Sequence, residues 1–369
     1  MDLRQDSHKI FTIQPGEFES MALEIFRFQY SNNPVYHDYV KALLINDAGV
    51  RSITQIPFLP ISFFKSHSIK TGSFDPEIVF ESSGTTTSVN SRHLVKDTDL
   101  YRRSFITGFE LAYGPVKNWC IIGLLPSYLE RGNSSLVYMV NELIRLSAHP
   151  QSGFYLDEFD KLSSTLQQLE QVKQRTLLVG VTFALLDFAE KYALPLKHTI
   201  VMETGGMKGR REEMVREEVH LILKRSFGLS TIHSEYGMTE LLSQAYSKGD
   251  GIFNCPPWMK VLVRDEEDPL SVLSSESIVE SREPASLRSA EMRGSKVESQ
   301  KSDVTNLPIA IGTPLPTQGA INIIDLANLY SCSFIATDDA GRLHQDGSFE
   351  VMGRIDNSDV RGCSLMYDV

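Results

Sequence analysis

The stretch Thr176-Leu177-Leu178-Val179-Gly180-Val181-Thr182-Phe183-Ala184-Leu185-Leu186-Asp187-Phe188-Ala189, followed after a polar break by Thr199-Ile200-Val201-Met202, decides how this chain reads. Residues 176–179 and 199–202 are short continuous apolar runs, the pattern of strands buried on both faces, and each is followed by helical spacing. The apolar run 177–189 is too short to cross a bilayer and contains Asp187. Working outward, residues 119–125 and 78–80 read as further strands, and 134–146 and 97–113 as helices. Residues 17–29 and 35–45 also have helical spacing. Strands alternating with helices predict an α/β fold with a mainly parallel sheet covered by helices. After Thr231 the helices thin out. Runs at 259–264, 320–324, 334–336 and 348–351 predict a strand-rich C-terminal part.

Residues 274–306 break the pattern. They are rich in Ser, Glu, Arg and Lys and hold no aromatic residue. A segment of that composition buries too little apolar surface to offset its ordering entropy, so a mobile inserted loop is expected. The expected organisation is a helical region over 1–75, an α/β domain over 76–355 and a short tail over 356–369.

Composition narrows the function. The 369 residues carry a formal net charge of -11, with 41% hydrophobic and 22% charged residues. Nucleic-acid affinity rests on Lys and Arg, so so acidic a chain reads against a backbone binder. ATP is not excluded, because backbone N–H groups and hydroxyls around a metal ion hold its phosphates. The start Met1-Asp2-Leu3-Arg4-Gln5-Asp6 shows no basic residues leading into an apolar run, so no signal peptide is expected. Cys120, Cys255, Cys332 and Cys363 form no CxxC pair and suggest neither a zinc site nor a disulfide framework. These features fit a cytoplasmic enzyme without a membrane span.

Three motifs carry the candidate chemistry. Glu81-Ser82-Ser83-Gly84-Thr85-Thr86-Thr87-Ser88 follows a predicted strand, and its glycine and hydroxyls suit a turn around phosphate oxygens. It lacks the Gly-Lys-Ser/Thr of a Walker A loop, and Ser/Thr-rich turns are also common as plain structure. Ser234-Glu235-Tyr236-Gly237-Met238-Thr239-Glu240 sets an aromatic ring beside a glycine, with a hydroxyl and a carboxylate following. That order suits a base, a phosphate and its magnesium. It also suits a helix start capped near Thr239. The third motif is Thr337-Asp338-Asp339-Ala340-Gly341, then Asp346-Gly347 and Gly353-Arg354-Ile355-Asp356. Asp339 suits a ribose diol and Arg354 an anion, while Asp346-Gly347 is a hairpin signal in its own right.

Taken in order, Ser-Gly-Thr-Thr, Tyr-Gly-x-Thr-Glu and Thr-x-Asp with Gly-Arg-x-Asp resemble the adenylate-forming superfamily of acyl-CoA synthetases, luciferases and related ligases. Met202-Glu203-Thr204-Gly205-Gly206 is similar to that family's glycine-bearing strand end beside the adenine. Within the superfamily, residues 126–135, 202–209 and 360–364 resemble the LuxE-type acyl-protein synthetases, and the resemblance covers most of 50–369 apart from 274–306. It implies ATP and Mg as cofactors, and activation of a carboxylic acid, of the fatty class, as acyl-AMP. The acyl group then passes to a cysteine, which Cys363 matches, for delivery to an acyl-CoA-reductase-like protein partner.

The same resemblance implies that Ser83, Gly84, Thr85, Thr86 and Thr239 bind phosphate oxygens and Glu240 holds magnesium. Tyr236, Gly237, Gly205 and Gly206 frame the adenine, Asp339 holds the ribose, and Arg354 neutralises an anion. Thr87, Ser88 and Val89 stand where the wider superfamily continues with Gly and Lys, and Arg92 is the nearest cation. The end at Val369, with no lysine after Lys301, fits the acyl-protein synthetases better than a full CoA ligase. Two alternatives stand beside this reading: an acyl- or aryl-CoA ligase-like enzyme with a soluble thiol acceptor, and a non-catalytic acyl-handling subunit.

Overall fold

The apolar runs become strands in a computed structural model that describes residues 7, 9–82, 89–125, 133–156, 158–205, 214–273 and 317–355. Helices α1 (Phe18–Asn32) and α2 (Pro34–Ala42) come first, then β1 (Leu59–Pro60) and the single turn α3 (Phe63–Ser66). β2 (Ile78–Glu81) and β3 (Arg92–Val95) form an antiparallel pair of their own. The alternating section follows: α4 (Thr98–Tyr113), β4 (Cys120–Leu124), α5 (Ser135–Ser147), β5 (Gly153–Phe154), α6 (Phe159–Gln171), β6 (Thr176–Gly180), α7 (Thr182–Lys191), β7 (Thr199–Glu203), α8 (Arg216–Phe227) and β8 (His233–Tyr236). Beyond it the described residues form strands only: β9 (Ala245–Ser247), β10 (Ile252–Asn254), β11 (Met259–Arg264), β12 (Val272–Leu273), β13 (Thr317–Asp325), β14 (Phe334–Leu343) and β15 (Phe349–Arg354).

Local chemistry sets the helix ends. Asp97 caps α4 by accepting from the N–H groups of Asp99 (3.0 Å) and Leu100 (3.3 Å), and Gly114 at φ +82° ends it. Ser134 caps α5 through the N–H of Val137 (3.4 Å). Every residue of β4 and β6 is buried, as strands covered by helices on both faces require.

One sheet runs β12-β11-β13-β14-β15-β10-β9-β8-β7-β6-β4-β5, with β1 attached to β14. The α/β expectation holds: a parallel section covered by helices is joined to a strand-rich C-terminal part in one mixed sheet. The section β5-β4-β6-β7-β8 is parallel, and along the path from β8 to β12 the pairings are antiparallel, while β1 joins β14 in parallel. A parallel neighbour needs a long crossover, whereas a short link returns the chain antiparallel. The β14–β15 link is such a turn. Gly347 sits at φ +83°, and the Asp346 carboxylate accepts from the N–H (2.9 Å) and hydroxyl (2.6 Å) of Ser348.

The N-terminal helices dock on the turn between β13 and β14. Gln29 is buried, donates to the carbonyls of Asn328 and Leu329 (3.0 Å each), and accepts from the N–H of Ser333 (2.9 Å). No helix among the described residues is long and apolar enough to cross a membrane. The expected loop at 274–306 lies outside the described residues. Gly205, two residues past β7, and Gly237, the first residue past β8, lie at the carboxyl ends of those strands, and in open α/β sheets the ligand crevice lies at such ends.

Candidate active site

Strand β8 sends its side chains to opposite faces. Ser234 and Tyr236 are buried on one face, and His233 and Glu235 lie on the other. The Tyr236 hydroxyl donates to Oδ2 of Asp339 at 2.8 Å, across 103 residues of chain. Its ring stands edge-on to Phe349, with centroids 5.4 Å apart, and 5.9 Å from Phe253. Burial, then the Asp339 charge, holds the phenol well above its ordinary pKa, so it remains a donor at neutral pH. Asp339 lies directly opposite Arg354 in the β14–β15 pairing. Arg354 donates to Asp338 Oδ2 at 3.1 Å and places Nε 4.0 Å from Asp339 Oδ1. Tyr236 from the second motif and Asp339 and Arg354 from the two ends of the third therefore meet in space.

After Tyr236 the chain makes a turn, and no helix starts at Thr239. The turn is held from both sides by its backbone. Nδ1 of buried His93, on β3, lies 2.8 Å from the Thr239 carbonyl. Burial lowers His93 to about 4, so the ring is neutral, and a carbonyl partner requires the proton on Nδ1. Asn328 Nδ2 donates to the Glu240 carbonyl at 2.7 Å. One step on, Asp325 accepts from the N–H groups of Leu242 (2.8 Å) and Ser243 (3.0 Å) and from the Ser243 hydroxyl (2.6 Å). Burial raises Asp325 to about 6 against those bonds. Thr239 is half-buried and Glu240 is 1% exposed. A Cβ on Gly237 would overlap the Glu235 carboxylate and press on Gln244 Cγ at 3.3 Å, so the glycine makes room for protein side chains.

Gly205 leaves β7 at φ +74°, a conformation that favours glycine. Its N–H donates to Glu203 Oε2 at 2.8 Å, and its carbonyl accepts from the N–H of Thr182 at 3.1 Å. Ser83, Gly84, Thr85, Thr86, Gly206 and Cys363 lie outside the described residues. The strands flanking residues 83–88 are described: Ser82 N–H donates to the Ser91 carbonyl at 3.0 Å, and His93 ties β3 to Thr239. Arg92 lies 3.7 Å from Glu81 on an exposed surface.

Motif reading missed the groups that hold these segments, namely His93, Asp325, Asn328 and Glu203. Glu203 alone left a signal, as an acidic residue ending an apolar strand just before a glycine pair. Cys120 is buried in β4, as its apolar neighbours predict, and Cys332 is buried as well.

No family model and no curated protein matches the chain. Solved structures do. One is 2-hydroxyisobutyryl-CoA ligase in the postadenylation state in complex with R3-HIB-AMP, at 11% identity and a TM-score of 0.60, covering 93% of this chain and 68% of that one. ATP-bound MatB from Rhodopseudomonas palustris aligns at 14% identity and a TM-score of 0.48, over 76% of this chain and 49% of that one. An ATP-bound RpMatB–BxBclM chimera aligns at 14% identity and a TM-score of 0.49, over 77% and 49%. The chain thus spans about half the length of the two MatB-type proteins. At such identities the likeness speaks of architecture, and it is carried by the first of the three: the chain has the α/β fold of an adenylate-forming ligase.

Proposed function

We propose that the chain activates a carboxylic acid with ATP as acyl-AMP and passes the acyl group to the thiol of Cys363. The observation that carries the reading is the hydrogen bond between Tyr236 and Asp339, with Arg354 alongside. Three residues chosen from two motifs far apart in sequence as nucleotide-binding form one cluster beside the carboxyl end of β8. His93 strengthens it by joining the strand after the hydroxyl-rich loop to the turn bearing Thr239 and Glu240.

A free carboxylate is a poor acyl donor because its leaving group is oxide. In the proposed first step its oxygen attacks the α-phosphorus of ATP, the bond to the bridging oxygen breaks, and pyrophosphate departs. In the second step the Cys363 thiolate attacks the acyl carbonyl carbon, a thioester forms and AMP leaves. The protein's part in the first step is positioning and charge stabilisation. Tyr236, Gly205 and Gly206 would frame the base, Asp339 the ribose, and Ser83, Gly84, Thr85, Thr86 and Thr239 the phosphates. Arg354 would offset the anionic charge.

Among the described residues no group of three or more His, Cys, Asp or Glu side chains is placed to hold a metal ion. Magnesium needs no such cage. It keeps several waters and takes one or two carboxylates plus phosphate oxygens, a donor set that Glu240 together with ATP fits. Delivery to a reductase-like partner, and the choice of a fatty acid, belong to the same proposal and rest on the resemblance of residues 126–135, 202–209 and 360–364.

Pyrophosphate exchange into ATP, run with magnesium and a panel of carboxylic acids, tests the first step. Acid-dependent exchange is expected, and its absence across the panel would leave a non-catalytic subunit. Intact mass after the same incubation, with and without CoA, separates a protein thiol acceptor from a soluble one.

A further inference from the structure

Glu203 closes β7 with only 2% of its surface exposed, in an interior where a charge persists only when paired and hydrogen-bonded. Its two oxygens divide the work. Oε2 accepts from the Gly205 N–H at 2.8 Å and from the Thr182 hydroxyl at 3.3 Å. Oε1 faces Arg216 Nε and His220 Nε2, each at 3.6 Å. Burial acts to raise the carboxyl's pKa, but the bonds and charges of His220 and Arg216 override it and hold the group at about 2.

This cluster reaches both sides of the proposed nucleotide site. On one side the turn after β7 is fixed at three points: the Gly205 N–H on Glu203, the Gly205 carbonyl on Thr182, and the Thr204 N–H on the Gly180 carbonyl at 3.1 Å. On the other side Arg216 Nη1 donates to the Val351 carbonyl at 3.1 Å, and the guanidinium lies over the Phe253 ring at 5.3 Å. Val351 belongs to β15, which ends at Arg354. His220 extends the cluster to β8, with Nε2 3.4 Å from the Ser234 hydroxyl two residues before Tyr236.

We propose that Glu203 is a positioning residue for the nucleotide: by fixing the Gly205 backbone and, through Arg216, the seat of β15, it sets how the Gly205 turn faces Tyr236 and Arg354. The assignment rests on the adenylation reading above. Glu203 touches no substrate in it. Its effect is expected on the nucleotide, because the groups it restrains, Gly205 and the strands bearing Tyr236 and Arg354, are those assigned to the base and to anionic charge.

Glu203→Gln keeps the volume and removes the charge. An amide has one acceptor oxygen, so whichever way it turns, its NH2 faces either the Gly205 N–H or the Arg216–His220 pair. ATP binding by equilibrium dialysis, and the KM values for ATP and for the acid in pyrophosphate exchange, are measured on the full chain. The variant is expected to bind ATP roughly tenfold more weakly, the loss typical of a hydrogen bond to a charged group. Its KM for the acid should stay within about twofold of the wild type, less than the loss of even a neutral hydrogen bond produces. Thr182→Val and Arg216→Lys are expected to show smaller losses of the same ATP-selective kind. They decide the matter if Glu203→Gln does not fold. Wild-type ATP affinity in every folded variant overturns the proposal, as does a parallel rise in both KM values accompanied by a lowered Tm. A wild-type chain that binds no ATP overturns the adenylation reading itself, which separates the two failures.

Discussion

Glu235 and Glu240 stand five residues apart and serve opposite purposes. Glu235 is on the face of β8 away from Asp339, where burial, and secondarily the Glu203 charge, raises its carboxyl to about 8. The folded chain therefore keeps a proton that the unfolded chain releases near pH 4.5. This contribution to stability is complete below pH 4.5 and is lost as pH rises toward 8. Glu235→Gln is neutral at every pH and escapes the loss. Its unfolding free energy at pH 7 should exceed that of the wild type by on the order of 2 kcal/mol, with a flatter profile between pH 4.5 and 8. Urea unfolding across that range measures both, and coincident profiles would show Glu235 ionised in the folded chain. For Glu240 the readout is chemistry. The backbone around it is held by Asn328 and Asp325, so Glu240→Ala is expected to fold. Pyrophosphate exchange should fall by roughly 10²-fold or more, the scale of a lost metal ligand or electrostatic group. Full exchange in that variant removes Glu240 from the mechanism.

At the scale of elements, the turn between β8 and β9 depends on groups brought from far along the chain. His93→Leu removes the donor to the Thr239 carbonyl. The cost should be about 1–3 kcal/mol, the penalty of leaving a buried polar group unpaired. Because folded His93 titrates at about 4 and the unfolded residue at 6.5, the folded chain binds fewer protons between those values. Stability from this group is lost as pH falls through that window. Asp325, raised to about 6, acts in the opposite direction, so the informative quantity is the difference between His93→Leu and wild type at each pH. That difference should shrink from pH 7 to pH 4, and a constant difference would show His93 already charged in the fold. Nothing in the sequence marks His93, Asp325 or Asn328, because each acts across the chain and belongs to no local pattern. Strands β4, β6 and β7 were legible, since burial on both faces leaves continuous apolar runs. The expectation for β14 stopped at residue 336, yet the strand runs to Leu343 through Thr337-Asp338-Asp339. Pairing with both β13 and β15 holds that polar stretch extended, and Asp339, proposed for the ribose, sits in it.

For the whole molecule, the deciding question is where the acyl group goes. A thiol attacks as its thiolate, and the described cysteines are poorly suited to that. Burial pushes Cys120 to about 11 and Cys332 to about 12, and burial together with Asp325 pushes Cys255 to about 12. Cys363, the proposed acceptor, lies beyond Arg354 in sequence, and Arg361 two residues away is a charge that would favour the thiolate. Activation and transfer use different groups, so they should separate. Wild-type protein given ATP, magnesium and a competent acid is expected to gain one acyl mass, which hydroxylamine removes as it does a thioester. Cys363→Ala should still support pyrophosphate exchange and form acyl-AMP, because Tyr236, Asp339 and Arg354 are untouched, but should carry no stable acyl mass. Intact-protein mass spectrometry and the exchange assay, run on the same preparations, read the two steps independently. A Cys363→Ala protein that labels as fully as wild type moves the acceptor to another residue. One that loses exchange along with labelling makes the tail part of the nucleotide site. A wild type that exchanges but labels only added CoA places this chain with ligases that use a soluble thiol.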